Sequence, residues 1–204
     1  MTKLPDAPIT VVLGQRGSGK TSWVKQQLPA LPRFILWNTV NDDYTGFEIV
    51  SDTEELFEYV WKRRDSILQV IINYLEEKGE EDKEAEGFAF VCKLVEAVEN
   101  VCFIVEEVDT YATSATIPYE LKRLLKIGRH YGVSMIAVSR RPAEINRLIT
   151  SQAQRFICFK TIEPNDVRYL RSIIGEAAMD LPQIPLLGYL DWRHGVVEKG
   201  QIRF

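Results

Sequence analysis

Two histidines and three cysteines are all that the chain holds of the side chains that usually build transition-metal sites or disulfides. The cysteines, Cys92, Cys102 and Cys158, are odd in number, far apart and set among apolar neighbours. They read as small buried hydrophobes, and no disulfide framework or metal cluster follows from their spacing. Long hydrophobic runs are also missing: the stretch Val133 to Val138, interrupted by Ser134, is far shorter than the ~20 residues that cross a bilayer. The opening MTKLPDAPIT has no apolar signal region, so the expected location is the cytosol, at most with peripheral attachment. Repeats, low-complexity segments and an N-K-x-D guanine-reading motif are absent as well.

The 204 residues are 46% hydrophobic and 26% charged, which predicts one soluble globular domain over residues 1–204. The net charge of −4 conceals an asymmetry. Acids dominate from Glu76 to Asp109, whereas bases dominate from Lys122 to Arg171. The acidic block suits a solvated helix end and loop, and the basic half is able to face a polyanion or an acidic neighbouring subunit.

The strongest local signal is Gly14-Gln15-Arg16-Gly17-Ser18-Gly19-Lys20-Thr21, a complete G-x-x-x-x-G-K-[ST] phosphate-binding loop after the apolar run Ile9 to Leu13. Its glycines allow successive N–H groups to converge on an anion, and the helix begun by Ser22-Trp23-Val24 turns its positive end to the same phosphates. Lys20 supplies charge for the β- and γ-phosphates, and Thr21 a hydroxyl for Mg²⁺. The second chemical signal is Val101-Cys102-Phe103-Ile104-Val105 running into Glu106-Glu107. Ligands of parallel sheets sit beyond the strands' carboxyl ends, so two acids at this tip suit a metal-bound triphosphate. One is able to support Mg²⁺ and the other to orient an attacking water.

Between these signals, Phe34 to Trp37 predicts a strand. From Ser51-Asp52-Thr53, the spacing of Leu56, Val60, Ile67, Val70, Ile71 and Tyr74 predicts one long helix ending near Gly79. Phe88, Val91, Leu94, Val95 and Val98 mark a second helix. Further along, a helix over Tyr119 to Ile127, a strand over Val133 to Ser139, a short helix over Ala143 to Leu148, a strand over Arg155 to Lys160 and a helix reaching Ile174 are expected. A hairpin around His194-Gly195 closes the series. This alternation predicts an α/β fold, a mainly parallel central sheet flanked by helices, with a C-terminal hairpin. If Ser139 reaches the γ-phosphate, its strand lies between the phosphate-loop strand and the acid-tipped strand, which defines the additional-strand, catalytic-glutamate class of P-loop NTPase with a RecA-like fold.

The stretch GRHYGVSMIAVSRRPAEINRLITSQAQRFICFKTIEPNDVRYL resembles the HerA/FtsK superfamily, where a G-R-x-x-G strand entry, a [ST]-Q-R-P strand exit and an N-x-x-D segment follow one another. Together with the phosphate loop, the acid-tipped strand and the terminal hairpin, the resemblance spans most of the chain. Its compact size is similar to the genome-packaging ATPases of icosahedral viruses with an internal membrane, those of the Sulfolobus turreted icosahedral viruses included. The resemblance implies ATP and Mg²⁺ at a site formed by Gly14 to Ser22. Lys20 and Thr21 match the Walker A lysine and metal ligand, Glu106 the metal-supporting acid that is normally Asp, and Glu107 the catalytic glutamate. Ser139 and Arg140 match the sensor positions, but Arg140 stands where the family usually has Gln. It adds a charge that is able to stabilise the transferring phosphoryl group, reach a neighbouring site or pair with Glu106 or Glu107. A ring motor also needs an arginine acting in trans; Arg129 is the first candidate, with Arg141 and Arg155 behind it. His130 and His194 suit structural or exposed positions.

Implied partners are double-stranded DNA bound without sequence reading, further copies of the chain in a ring, and a capsid-vertex or internal-membrane protein, in the host cytoplasm or at the virion's packaging vertex. Two other functions stay open at this stage: a small-molecule kinase, and an assembly or regulatory ATPase without translocation.

Overall fold

The computed structural model describes residues 7–39, 43–74 and 81–203. Nine strands form one sheet in the order β3-β4-β2-β5-β6-β1-β7-β8-β9. They are β1 Ile9–Leu13, β2 Arg33–Asn38, β3 Glu48–Val50, β4 Leu68–Asn73, β5 Cys102–Val105, β6 Ser134–Ser139, β7 Arg155–Phe159, β8 Gly188–Arg193 and β9 Val196–Gln201. The strands from β3 to β7 pair in parallel, and β8 and β9 add an antiparallel hairpin at one edge. Strand β6 lies between β5 and β1, as the additional-strand class requires. The helices are α1 Lys20–Gln27, α2 Thr53–Arg63, α3 Glu81–Val98, α4 Tyr119–Ile127, α5 Arg147–Gln152 and α6 Pro164–Ile174.

Alternate residues of the central strands face two cores. Val11, Ile35, Phe103 and Met135 pack on one side with α3 and α4, and Val12, Leu36, Ile104 and Ile157 on the other with Trp23 and Val24 of α1. With both faces covered, the strands have to be apolar along their length, which is the pattern read in Val101 to Val105. Cys92, Cys102 and Cys158 are buried among them, and burial pushes the Cys102 thiol up to about 11. They are inert packing residues.

Two element assignments need correction. The long helix expected from Asp52 to Gly79 ends at Arg63, and Leu68–Asn73 forms β4 instead, pairing with β2 and β3. Asp52 does cap α2, its carboxylate accepting from the N–H groups of Glu54 and Glu55. The apolar run Val70-Ile71-Ile72 fits either period, and burial on both sheet faces selects the strand. Residues 75–80, where the helix was expected to end and much of the acidic block falls, lie outside the described residues. The short helix expected over Ala143 to Leu148 begins at Arg147, because the Asn146 side chain accepts from Leu148 N at 3.0 Å and sets the cap there. The three-residue edge strand β3 was not anticipated. The hairpin turn at His194-Gly195 is present, both residues having positive φ. Among the described residues no helix is long and apolar enough to cross a membrane.

Candidate nucleotide site

Strand β1 ends at Leu13, paired with Ser139 of β6 and Cys158 of β7, so the loop Gly14 to Gly19 emerges at the carboxyl ends of three parallel strands. Two glycines there are required by geometry. Gly14 has φ +149°, and a Cβ on it would lie 2.6 Å from Phe159 Cβ. Gly19 has φ +113°, a left-handed value at the N-cap of α1, and a Cβ would approach Leu187 Cδ2 to 3.0 Å. The loop is anchored by Gln15 N donating to Lys160 O at 3.0 Å. Lys20 is 8% exposed, and its Nζ donates to Gly14 O at 2.8 Å and Gln15 O at 3.0 Å.

Strand β5 delivers the two acids in different environments. Glu106 N closes the ladder by donating to Trp37 O at 3.1 Å, and the Glu106 side chain is buried, its Oε1 accepting from the Tyr44 hydroxyl at 2.7 Å. Glu107 leaves the strand with φ 49°, which turns its side chain away from the sheet toward Arg140 at the end of β6. The two form an ion pair at 2.5 Å, with Glu107 less exposed than Arg140. Ser139 is buried, and its Oγ accepts from Arg141 N at 3.0 Å, tightening the turn that places Arg140. Arg16, Gly17, Gly19, Lys20, Thr21, Ser22, Glu106, Glu107, Ser139, Arg140 and Leu187 line one cleft of about 540 Å³, a volume suited to a nucleotide.

A triphosphate fits this arrangement on several counts. The glycine cradle, Lys20 and the N-terminus of α1 all present positive potential, and Ser18 Oγ is buried without a partner among the described residues. Thr21 and Glu106 offer hard oxygen ligands that would hold Mg²⁺ together with phosphate oxygens. Among the described residues no cluster of three or more His, Cys, Asp or Glu side chains makes an all-protein metal cage.

Burial pushes the Lys20 ammonium from its ordinary 10.5 down to about 8; Arg140 acts in the same direction, and Glu106, Glu107 and Asp109 oppose it. Below pH 8 the lysine is charged before and after an anion binds; above it, a bound triphosphate favours the charged form and the site takes up a proton. Titration calorimetry in buffers of different ionisation enthalpy should show proton uptake near zero at pH 6.5 and rising toward one at pH 9. Uptake that is independent of pH would contradict this role of Lys20.

The structure does not bring Arg129 to this cleft. It is exposed at the other end of the sheet, beside a cavity of about 190 Å³ that it lines with Ile9, Met135 and Gln154. Arg141 pairs with Glu144 at 2.6 Å and lies 3.8 Å from Asp166, and Arg155 is held by Asp191 at 2.9 and 2.6 Å. His130 and His194 are exposed and outside the cleft. Three contributors had no sequence signal specific enough to find them: Tyr44, from the segment between β2 and β3; Asp109, which acts electrostatically on Lys20; and Leu187, from the turn before β8.

Sheet order, phosphate loop and acid-tipped strand define a RecA-like P-loop NTPase fold of the additional-strand class. The particular neighbours agree with it. The fold is similar to the DNA-packaging ATPase B204 from Sulfolobus turreted icosahedral virus, at a TM-score of 0.76 and 19% identity, covering 98% of this chain and 100% of that one. It is also similar to the genome-packaging NTPase B204 from Sulfolobus turreted icosahedral virus 2 in complex with AMPPCP, at a TM-score of 0.74 and 17% identity, covering 97% and 99%. The pCW3 conjugation coupling protein TcpA with ATPγS matches at a TM-score of 0.60 and 14% identity, covering 97% of this chain and 60% of that one. In sequence, 70 residues are 37% identical to a probable helicase of Methanocaldococcus jannaschii, which is 32% of this chain and only 14% of the helicase. No protein-family model matches the chain.

Proposed function

We propose that the chain is an ATP-hydrolysing translocase that packages double-stranded DNA into a preformed viral capsid as a ring of identical subunits. The observation that carries this reading is the convergence of the phosphate loop, Lys20, Glu106, Glu107 and Arg140 in one cleft at the sheet's carboxyl edge. Similarity of fold to genome-packaging proteins over nearly the full length of both chains supports the proposed task.

In the reaction, the loop amides and Lys20 hold the β- and γ-phosphates, while Thr21 and Glu106 would hold Mg²⁺. Mg²⁺ held there would supply positive charge that offsets the negative charge of the phosphates. Glu107 orients a water for in-line attack on the γ-phosphorus and accepts its proton as the bond to the β-phosphate oxygen breaks. Glu107 has to part from Arg140 for this, and a γ-phosphate offers the guanidinium a second anion. Ser139 and Arg140 thereby report whether that phosphate is present. Arg129 is the residue proposed to act in trans: it is far from its own cleft and exposed toward any neighbour.

The basic half of the sequence becomes more specific in three dimensions. Lys122 and Lys126, one turn apart on α4, are exposed and have no acidic partner among the described residues, whereas Arg123 on the same helix is held by Glu96. Such a pair suits sequence-independent contact with phosphates. Steady-state ATP hydrolysis with and without duplex DNA tests the proposal. Stimulation at low salt, lost steeply as salt rises and lost in Lys122→Glu/Lys126→Glu, is expected. Hydrolysis indifferent to DNA at every salt and protein concentration, or phosphate transfer to a small acceptor, would overturn the translocase reading.

A further inference from the structure

Leu187 adopts a conformation that a leucine rarely takes. Its φ is +67°, and among the described residues it is the one aliphatic residue of the non-glycine residues with positive φ, the others being Glu99, Asn100, Glu107 and His194. Backbone strain of this kind persists only where surrounding contacts impose it, and it concentrates at functional sites. Here the contacts are visible. Leu187 O accepts from Ile202 N at 2.9 Å, and Ile202 is buried in the core beneath α1. Gly188 N donates to Pro185 O at 3.0 Å, closing the turn on the other side. Gln26 of α1 donates to Arg203 O at 2.8 Å, tying the end of the hairpin to the helix that follows the phosphate loop. The strained turn is thus held by its own bond on one side and on the other by the hairpin end, which Gln26 ties to α1, and the leucine side chain is set over Gly19.

The cleft has two ends. Glu107, Ser139 and Arg140 mark the end where the γ-phosphate has to lie, because water activation occurs there. In the sheet order the phosphate loop after β1 stands between β5 and β6, which carry these residues, and β8, so the nucleoside leaves the loop toward the β8 side, where Leu187 lines the cleft. The half-buried Leu187 presents apolar surface at that end. Apolar surface has no affinity for triphosphate, but it suits the face of a purine ring. From this geometry we infer that Leu187 is the base-binding wall of the site, held by the C-terminal hairpin in a left-handed conformation so that its side chain packs against the face of the nucleotide's base. The inference rests on the nucleotide-binding reading above and adds the residue that recognises the nucleoside half.

Comparing ATP with inorganic triphosphate, which shares the phosphates and has no base, separates this inference from the reading on which it rests. Leu187→Gly accepts the left-handed backbone and removes the wall; Leu187→Asn tolerates the same backbone and replaces apolar by polar surface. Equilibrium binding of Mg²⁺-ATP should weaken about tenfold in both variants, with binding of Mg²⁺-triphosphate unchanged and melting temperature retained. Equal loss for the two ligands, or no loss for ATP, would overturn the inference without overturning the nucleotide-binding reading. A wild-type protein that binds triphosphate as tightly as ATP would also overturn it, and one that binds neither would overturn the nucleotide reading itself.

Discussion

Replacing Glu107 by Gln should lower ATP turnover by about 10³-fold, the scale of losing a positioned general base, while nucleotide binding persists. The amide keeps the size of the carboxylate and is able to orient water, but it cannot accept the proton. It also loses the charge that pairs with Arg140 at 2.5 Å, so the guanidinium is released toward the phosphates and ATP affinity should hold or rise slightly. Single-turnover hydrolysis beside equilibrium binding separates the two effects. Turnover within a few-fold of wild type would remove Glu107 from the catalytic position and shift attention to Asp109. A parallel Arg140→Ala variant should leave Glu107 unpaired; if its turnover falls as far as that of Glu107→Gln, the arginine contributes to the chemical step and does more than hold the carboxylate.

Replacing Lys20 by Met should weaken ATP binding by about 10²-fold or more, because the ammonium is a buried full positive charge at the base of the phosphate loop, whereas Arg16 of the same loop is exposed. This variant should not unfold. Lys20 has a folded-state pKa of about 8 against an ordinary 10.5, so at pH 7 its charged form is carried at a cost that methionine removes. The loss of its bonds to Gly14 O and Gln15 O offsets that gain. The same sign predicts that wild-type stability rises between pH 8 and 10.5, where the unfolded chain still binds a proton that the folded one has released, and that this rise is absent in Lys20→Met. Thermal melts across that range, combined with ATP binding at pH 7, test both statements. A stable variant with unimpaired ATP affinity would show that the loop amides alone carry the phosphates.

The chain's local chemistry was legible where a short segment contains its own explanation. Gly14 to Thr21 could be read because the anion-binding geometry is built from consecutive backbone groups, and Gly14 and Gly19 have the φ values that exclude other residues. The acid-tipped strand could be read because a strand buried on both faces has to be apolar until it ends, and at Glu106 it ends. The helix cap at Asp52 was equally local, although the cap at Asn146, which the sequence reading missed, and the long helix expected through Leu68–Asn73 show the limit. An apolar run of that length carries no record of whether its neighbours lie one turn away or across a sheet. The tertiary structure alone decided that Tyr44 holds Glu106, that Arg140 pairs with Glu107, that Leu187 closes the cleft, and that Arg129 stands away from the site. Each of these depends on which strand ends become neighbours in the sheet order, a property of long-range packing that no single segment of the sequence encodes.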